Sequence, residues 1–160
     1  MRKLLLFIGG IVVGLVIQMA IAQSQNNNIV RVNHVGIAVP DVEEALTYYS
    51  ETLGFEEAFR INDSDGNVAL VYAQVSQNTF VEIQPINELR PAGISHFGVH
   101  VDNMEAVISM FRERGAEVQD SIASSSGAIL SNVVDPYGVR MELLELPAES
   151  VHRQAMDRWR

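Results

Sequence analysis

The sequence predicts an α+β domain built from two paired βαβββ modules. Residues 33–41 read NHVGIAVPD and residues 95–103 read SHFGVHVDN, so a strand that runs into a helix occurs twice, at an offset of 62. After each copy, the chain shows further segments with strand-like alternation of apolar and polar side chains. A repeated order of elements indicates an internal duplication within a single domain, residues 30–146, with modules at 30–86 and 94–146.

The first module begins with a strand over residues 30–39, whose side chains alternate between two faces. The face that the following helix should cover carries Val35, Ile37 and Val39. Asp41 is placed to cap that helix at its start, and Gly54 is placed to end it. Three further strands are predicted over residues 55–61, 67–75 and 78–86.

The second module repeats this order and is followed by a terminal helix. Its first strand is predicted over residues 94–101, and its helix over 103–114 ends at Gly115. The remaining strands are predicted over residues 117–123, 128–134 and 139–146. Residues 147–160 predict a short amphipathic helix that packs on the sheet and turns His152 toward water.

Residues 1–22 predict export. Arg2 and Lys3 precede a long apolar run, and Ala20-Ile21-Ala22 fits a signal peptidase site. An uncleaved membrane anchor is the alternative, because the run approaches the ~18 residues that begin to span a bilayer. Residues 23–29 then read as a polar linker. In either case we expect the domain outside the cytoplasmic membrane: periplasmic, secreted, or anchored with the domain facing outward.

Charge and cysteine content exclude several classes of function. The chain has 11 basic and 20 acidic residues, a net charge of −9 that becomes −11 without Arg2 and Lys3. Such a surface repels phosphate backbones, so nucleic acid is not an expected partner, and the membrane is one only through an uncleaved N-terminus. The absence of cysteine excludes disulfides, thiolate metal sites and cysteine nucleophiles.

Two histidines and two glutamates recur at matched positions of the two modules. His34 and His96 lie on the first strands, while Glu82 and Glu142 lie on the last strands at an offset of 60. The strand period places all four on the concave face, where unpaired carboxylates would be costly to bury. Two imidazoles and two carboxylates suit one divalent ion of zinc, nickel, cobalt, manganese or iron, so the sequence predicts a metal site.

The segments HVGIAVPDVEEALTYYSETLGF, HFGVHVDNMEAV and DPYGVRMELLEL resemble the vicinal oxygen chelate superfamily. That superfamily includes glyoxalase I, methylmalonyl-CoA epimerase, extradiol dioxygenases and bleomycin resistance proteins. The resemblance extends over residues 30–146 and implies a glyoxalase-like fold, two curled mixed sheets that form a metal-holding cavity. It also implies that His34, Glu82, His96 and Glu142 are the metal ligands.

A complete His-Glu-His-Glu set is most similar to that of glyoxalase I. The resemblance implies a lyase or isomerase that removes a proton next to a carbonyl of a small substrate, through a metal-bound enediolate. It implies Glu142 as the base and Glu82 as its partner across the metal. Two alternatives stay open: an Fe(II) ring-cleaving dioxygenase, and a non-catalytic, metal-dependent ligand-binding protein of the resistance type.

The substrate is not set by the resemblance. Glyoxalase I of bacteria has an arginine where this chain has Ala38, and an asparagine where it has Ile86, so two glutathione anchors are missing. Arg140 and His100 share the concave face with the predicted ligands, and both are predicted to contact substrate. A homodimer is expected, with the four ligands drawn either from one chain or from two.

Overall fold

The computed structural model describes residues 28–160. The predicted signal segment, residues 1–22, and most of the predicted linker, residues 23–27, lie outside the described residues. Within residues 28–160 no helix has both the length and the apolar character needed to cross a membrane.

The first half of the described chain forms a strand, a helix and three more strands. The elements are β1 (Ile29–Val39), α1 (Val42–Thr47), a π-helical continuation (Tyr48–Thr52), β2 (Glu56–Asn62), β3 (Val68–Ser76) and β4 (Thr79–Pro85). The carboxylate of Asp41 accepts a hydrogen bond from the Glu44 amide, as expected of an N-cap. Gly54 follows the helix at a φ of 76°, the left-handed conformation that ends helices and favours glycine.

The second half repeats the order and adds a terminal helix. The elements are β5 (Gly93–Val101), α2 (Met104–Glu113), β6 (Ile122–Ala123), β7 (Ile129–Val134), β8 (Arg140–Glu145) and α3 (Val151–Arg158). The strand predicted over residues 117–123 is confirmed only at β6, and residues 117–121 meet β7 only through an isolated bridge between Val118 and Val133. There the Val118 carbonyl accepts hydrogen bonds from the Arg112 guanidinium, and the Gln119 carbonyl accepts one from the Ser131 hydroxyl, so side chains take the acceptors that a sheet ladder would need.

The two modules share one continuous sheet. Its eight strands run in the order β2-β3-β4-β1-β5-β8-β7-β6, with the modules joined by antiparallel pairing of β1 and β5. Within each module the first and last strands pair in parallel, β1 with β4 and β5 with β8. The predicted α+β fold of paired βαβββ modules is therefore confirmed, and the two expected sheets merge into a single curled one.

Helices α1 and α2 cover the outer face of this sheet. Val42 and Leu46 of α1 pack with buried residues of β3 and β4. Because α1 lies over those strands, it covers β1 only in part, and Val35 remains 37% exposed. The prediction that Val35 lies under the helix is wrong.

Helix α3 packs on the opposite face, the one that carries the predicted ligands. Its Ala155 and Met156 contact Tyr72, Phe80 and Leu144 in a buried cluster. Its buried residues are His152, Ala155 and Met156, so the helix is turned differently from the sequence prediction. The prediction that His152 faces water is wrong: its side chain is 1% exposed.

Candidate metal centre

The four predicted ligands meet at the centre of the sheet, within one chain. His34, Glu82, His96 and Glu142 each present a donor atom, and all four atoms lie within 4.8 Å of one another. They come from β1, β4, β5 and β8, the four adjacent central strands. The parallel pairs place a histidine-bearing strand beside a glutamate-bearing strand in each module, which is why the duplicated sequence yields one shared cluster.

The spacing of the donor atoms suits a single ion. The Nε2 atoms of His34 and His96 are 3.0 Å apart, and Glu82 Oε2 lies 3.2 Å from the first and 3.3 Å from the second. Glu142 Oε2 lies 3.6 Å from His34 Nε2. Donors placed ~2.1 Å from one metal ion in tetrahedral or octahedral geometry are about 3.0 to 3.5 Å apart. The arrangement is therefore a possible site for a divalent metal.

Two glycines make room for the histidines. A β-carbon at Gly36 would lie 2.0 Å from Cε1 of His96, and one at Gly98 would lie 2.1 Å from Cε1 of His34. The strand register explains this reciprocity, because Gly36 pairs with His96 across β1 and β5, and Gly98 pairs with His34. Each module thus supplies the gap that the other module's imidazole fills.

Neighbouring side chains orient the two imidazoles. His34 Nδ1 lies 3.1 Å from Asn33 Oδ1, and His96 Nδ1 lies 2.8 Å from the Ser95 hydroxyl. Since an amide oxygen only accepts, His34 Nδ1 is the donor to Asn33, which leaves Nε2 as the ring nitrogen that faces the cluster. Metal-binding histidines are commonly held by such an outer partner.

Two side chains from outside the cluster hold Glu82 in place. Its Oε2 accepts a 2.7 Å hydrogen bond from the Tyr72 hydroxyl, and its Oε1 accepts one from the Gln84 amide. Burial alone would raise the pKa of Glu82, but hydrogen bonds from His34 and His96, with their charges, outweigh it and hold the pKa well below its usual range. Glu82 is therefore an ionised carboxylate held in a fixed orientation.

Glu142 sits in a different environment. Burial, followed by the negative charge of Glu82, raises the pKa of Glu142 above its ordinary value. Its closest basic neighbour is Arg140, whose Nη1 lies 3.4 Å from Glu142 Oε1 and 2.9 Å from Asn132 Oδ1. The two carboxylates of the cluster thus differ in proton affinity, a pattern that often separates a fixed carboxylate from one that exchanges protons.

Two cavities meet at the cluster, and both are lined by Gln84 and Glu142. The outer one, about 600 Å³, opens along the connection between the modules and includes Arg90 and Arg140. The inner one, about 220 Å³, extends toward α3 and includes Glu82, Tyr72 and His152. The inner cavity is smaller than the ~300–1,000 Å³ of pockets for drug-sized ligands.

The two predicted substrate contacts lie in different places. Arg140 lines the outer cavity beside Glu142, where a substrate could reach it. His100 is 4% exposed and lines neither of the two cavities, so the structure does not bring it to the cluster. A residue four positions along the strand from His96 is ~13 Å farther along β5, which accounts for the separation.

Sequence reasoning missed Tyr72 and His152. Tyr72 reaches Glu82 because β3 and β4 pair with these two residues in register, a pairing that the hairpin sequence alone does not give. His152 reaches the inner cavity because α3 folds back onto the concave face. Gln84 could have been found, since its position two residues after Glu82 puts it on the same face of β4.

The fold agrees with comparisons to known proteins. A sequence profile described as the Glyoxalase/Bleomycin resistance protein/Dioxygenase superfamily matches residues 33–128, and the chain belongs to this superfamily. The resemblance seen in the sequence is confirmed.

Several enzymes are related in sequence. An ethylmalonyl-CoA/methylmalonyl-CoA epimerase of Cereibacter sphaeroides is 31% identical over 108 residues, 61% of this chain and 81% of that protein. The mitochondrial methylmalonyl-CoA epimerase of Homo sapiens is 26% identical over 97 residues, 54% of this chain and 55% of that protein. A probable chloroplastic lactoylglutathione lyase of Arabidopsis thaliana is 24% identical over 124 residues, 72% of this chain and 35% of that protein.

The chain thus spans most of the bacterial relative but only about half of the human one and about a third of the plant one. Among solved structures, methylmalonyl-CoA epimerase from Mycobacterium tuberculosis superposes with a TM-score of 0.64 at 18% identity, over 76% of this chain and 91% of that chain. A selenomethionine methylmalonyl-CoA epimerase gives a TM-score of 0.62 at 26% identity, over 74% and 97%. The named relatives include an isomerase and a lyase, so the comparisons support an enzyme of the isomerase or lyase type.

Proposed function

We propose that the protein is an exported, metal-dependent lyase or isomerase that removes a proton from the carbon next to a carbonyl of a small substrate. The observation that carries this proposal is the convergence of two histidines and two glutamates within 4.8 Å at the junction of two cavities. The donor set could hold one divalent metal, which when bound stabilises the negative charge that develops on a substrate carbonyl oxygen.

The proposed roles of the chain's own residues follow from their surroundings. Glu142 is the proposed base, because it faces both cavities and has the higher proton affinity of the two carboxylates. Glu82 is the proposed opposing carboxylate, held in place by Tyr72 and Gln84. Arg140, which lines the outer cavity, is the proposed contact for an anionic part of the substrate.

The four-donor cluster favours this proposal over a ring-cleaving dioxygenase. A non-haem iron oxygenase site characteristically uses two histidines and one carboxylate and leaves the remaining positions open. Here Glu82 and Glu142 both reach the histidines, at 3.2 Å and 3.6 Å from His34 Nε2. A second carboxylate in place supports proton transfer as the chemistry of the site.

The substrate is proposed to be a small 2-oxoaldehyde, 2-hydroxyketone or related carbonyl compound. The cluster adjoins an inner cavity of only about 220 Å³, which limits the part of the substrate that can lie beyond the metal. Ala38 and Ile86 offer no polar side chain where glutathione anchors would be expected from the superfamily resemblance.

The test is proton exchange at carbon. The full chain, loaded in turn with zinc, nickel, cobalt and manganese, is incubated in D2O with hydroxyacetone and with a panel of 2-oxoaldehydes, and deuterium incorporation is followed by NMR. We expect exchange with at least one metal and substrate, and a loss of about 100-fold or more in Glu142→Gln, as for removal of a general base.

Glu56→Gln is the matched control, since Glu56 is an exposed glutamate of β2 away from the cluster. Exchange at the wild-type rate in Glu142→Gln would remove Glu142 as the base. Oxygen uptake on catechols by the iron-loaded protein, without carbon-bound proton exchange, would instead favour the dioxygenase. Tight ligand binding without any turnover would favour a binding protein.

Export and dimer formation are further parts of the proposal. The basic start, apolar run and small residues of positions 1–22 support export. Intact mass after expression with the native N-terminus would show cleavage after Ala22, and fractionation would place the chain. Sedimentation would give the oligomeric state, for which we expect a homodimer.

A further inference from the structure

His152 is a buried polar residue whose ring nitrogens lack a hydrogen-bond partner in the part of the chain that the structure describes. Its side chain is 1% exposed, and within residues 28–160 neither Nδ1 nor Nε2 has a hydrogen-bond partner. Three aromatic rings surround the imidazole: the centroids of Tyr72, Phe59 and Phe80 lie 4.5 Å, 4.7 Å and 6.0 Å from its own. An apolar ring at position 152 would fit these surroundings and would avoid the cost of desolvating the two imidazole nitrogens.

The unpartnered imidazole lines the inner cavity, together with a second unpartnered group. His152 and Gln84 both border this space of about 220 Å³, and Gln84 Oε1 is likewise buried without a partner among the described residues. A buried donor or acceptor without a partner costs about 1 to 3 kcal/mol. A molecule that enters the cavity could satisfy both groups at once, because they lie on the wall of the same space.

The composition of the cavity defines the chemistry of that molecule. Apart from Glu82 and Glu142 of the cluster, its wall is uncharged, formed by Tyr72, His152, Gln84, three serines and apolar side chains. Burial, with the charge of His34 as the next cause, lowers the pKa of His152 to about 3, so the imidazole is neutral, with one donor and one acceptor nitrogen. The arginines of the site line the outer cavity instead.

We propose that His152, together with Gln84, is a specificity-determining residue that hydrogen-bonds an uncharged polar group, a hydroxyl or carbonyl, at the inner end of the substrate. This inference rests on the proposed function, since the other end of the substrate then carries the oxygens that meet the metal cluster. Compact substrates with a polar, non-ionic end are selected, and an alkyl end is disfavoured because it leaves both groups unpaired. His152 lies outside residues 33–128, the part of the chain that the superfamily profile matches.

The test uses metal-chelating probes and measures binding. Alkyl hydroxamates of increasing chain length place a bidentate chelator at one end, and their ω-hydroxy isosteres replace only the terminal methyl by a hydroxyl. Titration calorimetry on the zinc-loaded full chain should show the hydroxy probe binding about 10-fold more tightly than its isostere at one chain length, the gain expected when buried polar groups find partners. In His152→Phe this preference should fall to about one.

Met156→Leu is the matched control, because Met156 is buried in the same helix but does not line the cavity. It should keep the preference. Should His152→Phe fail to fold, the ring ¹⁵N signals of His152 in the wild-type protein give a second reading, and they should shift with the hydroxy probe and not with the alkyl probe.

The outcomes separate the two proposals. Equal binding of both probes at every chain length, or a preference that survives in folded His152→Phe, would overturn the role of His152 and leave the metal centre intact. Absence of binding of all four metals, zinc, nickel, cobalt and manganese, or of any hydroxamate by the metal-loaded chain, would overturn the proposed function itself.

Discussion

The space that Gly36 leaves for the His96 imidazole allows a direct test of whether His96 is a metal ligand. In Gly36→Ala the new β-carbon would lie 2.0 Å from Cε1 and 2.2 Å from Nδ1 of His96. The imidazole must move by about 1.4 Å to reach an ordinary contact of 3.4 Å. Metal–ligand bonds tolerate deviations of only about 0.2 Å, so His96 would no longer bind the same ion as its three partners.

The expected effect on metal binding is large, and the effect on the fold is small. Disturbing an outer partner of a ligand already costs about 10- to 100-fold in metal affinity, so loss of a direct ligand should cost about 100-fold or more. Overpacking one methyl group costs about 1 to 3 kcal/mol of unfolding free energy. Zinc affinity by competition with a chromogenic chelator, together with urea unfolding of the metal-free chain, separates the two effects.

Val35→Ala is the matched control, since Val35 adjoins Gly36 on β1 but lies on the opposite, outer face and is 37% exposed. Gly98→Ala should behave like Gly36→Ala, because its β-carbon would lie 2.1 Å from Cε1 of His34. Unchanged zinc affinity in a folded Gly36→Ala chain would refute the reasoning that His96 is a ligand fixed by this gap.

Two further predictions concern groups that surround the cluster. Tyr72→Phe removes the 2.7 Å hydrogen bond to Glu82 but keeps the ring that stacks on Phe59, so zinc affinity should fall about 10- to 100-fold with an unchanged circular dichroism spectrum; an unchanged affinity would show that the bond does not orient the ligand. The second prediction concerns how the free energy of unfolding depends on pH. Burial and then the charge of His34 lower the pKa of His152 from 6.5 to about 3, so in this range the unfolded chain binds a proton that the native chain does not. Acidification below pH 6.5 should therefore destabilise the metal-free protein through this group by up to about 1.4 kcal/mol per pH unit. The difference in unfolding free energy between the wild type and His152→Leu, measured in urea as pH falls, should show this slope, and a constant difference would contradict it.

The fold and the candidate ligand set could be predicted from the sequence because the internal duplication repeats the same pattern in both modules. His34 and His96 occur in the same phase of equivalent strands, so one period-two argument places both on the concave face. Glu82 and Glu142 follow the same logic, and the structure brings all four together. That they meet within one chain depends on how β1 pairs with β5, a long-range contact that no local pattern specifies.

The predictions that were wrong also failed because of long-range contacts that the local sequence does not specify. In the strand predicted over residues 117–123, the Val118 and Gln119 carbonyls accept hydrogen bonds from the side chains of Arg112 and Ser131, and residues 117–121 form no continuous ladder. The sequence of α3 gives an amphipathic helix without saying which partner it meets, and its docking on an aromatic cluster turns His152 inward. Secondary structure at the edge of a sheet depends on such tertiary partners more than on local preference.

The two glycine–histidine pairs, Gly36 with His96 and Gly98 with His34, also constrain how related sequences can diverge. The three atoms that an added β-carbon would approach most closely all belong to one imidazole, that of His96 at Gly36 and that of His34 at Gly98. A relative in which a small side chain has replaced one histidine can accept alanine at the facing glycine. The other histidine still requires glycine at the position that faces it. Substitutions at a glycine of one module should therefore covary with substitutions at the facing histidine of the other module. In relatives that have lost the cluster, replacement of one of these glycines by a larger residue should be the first sign.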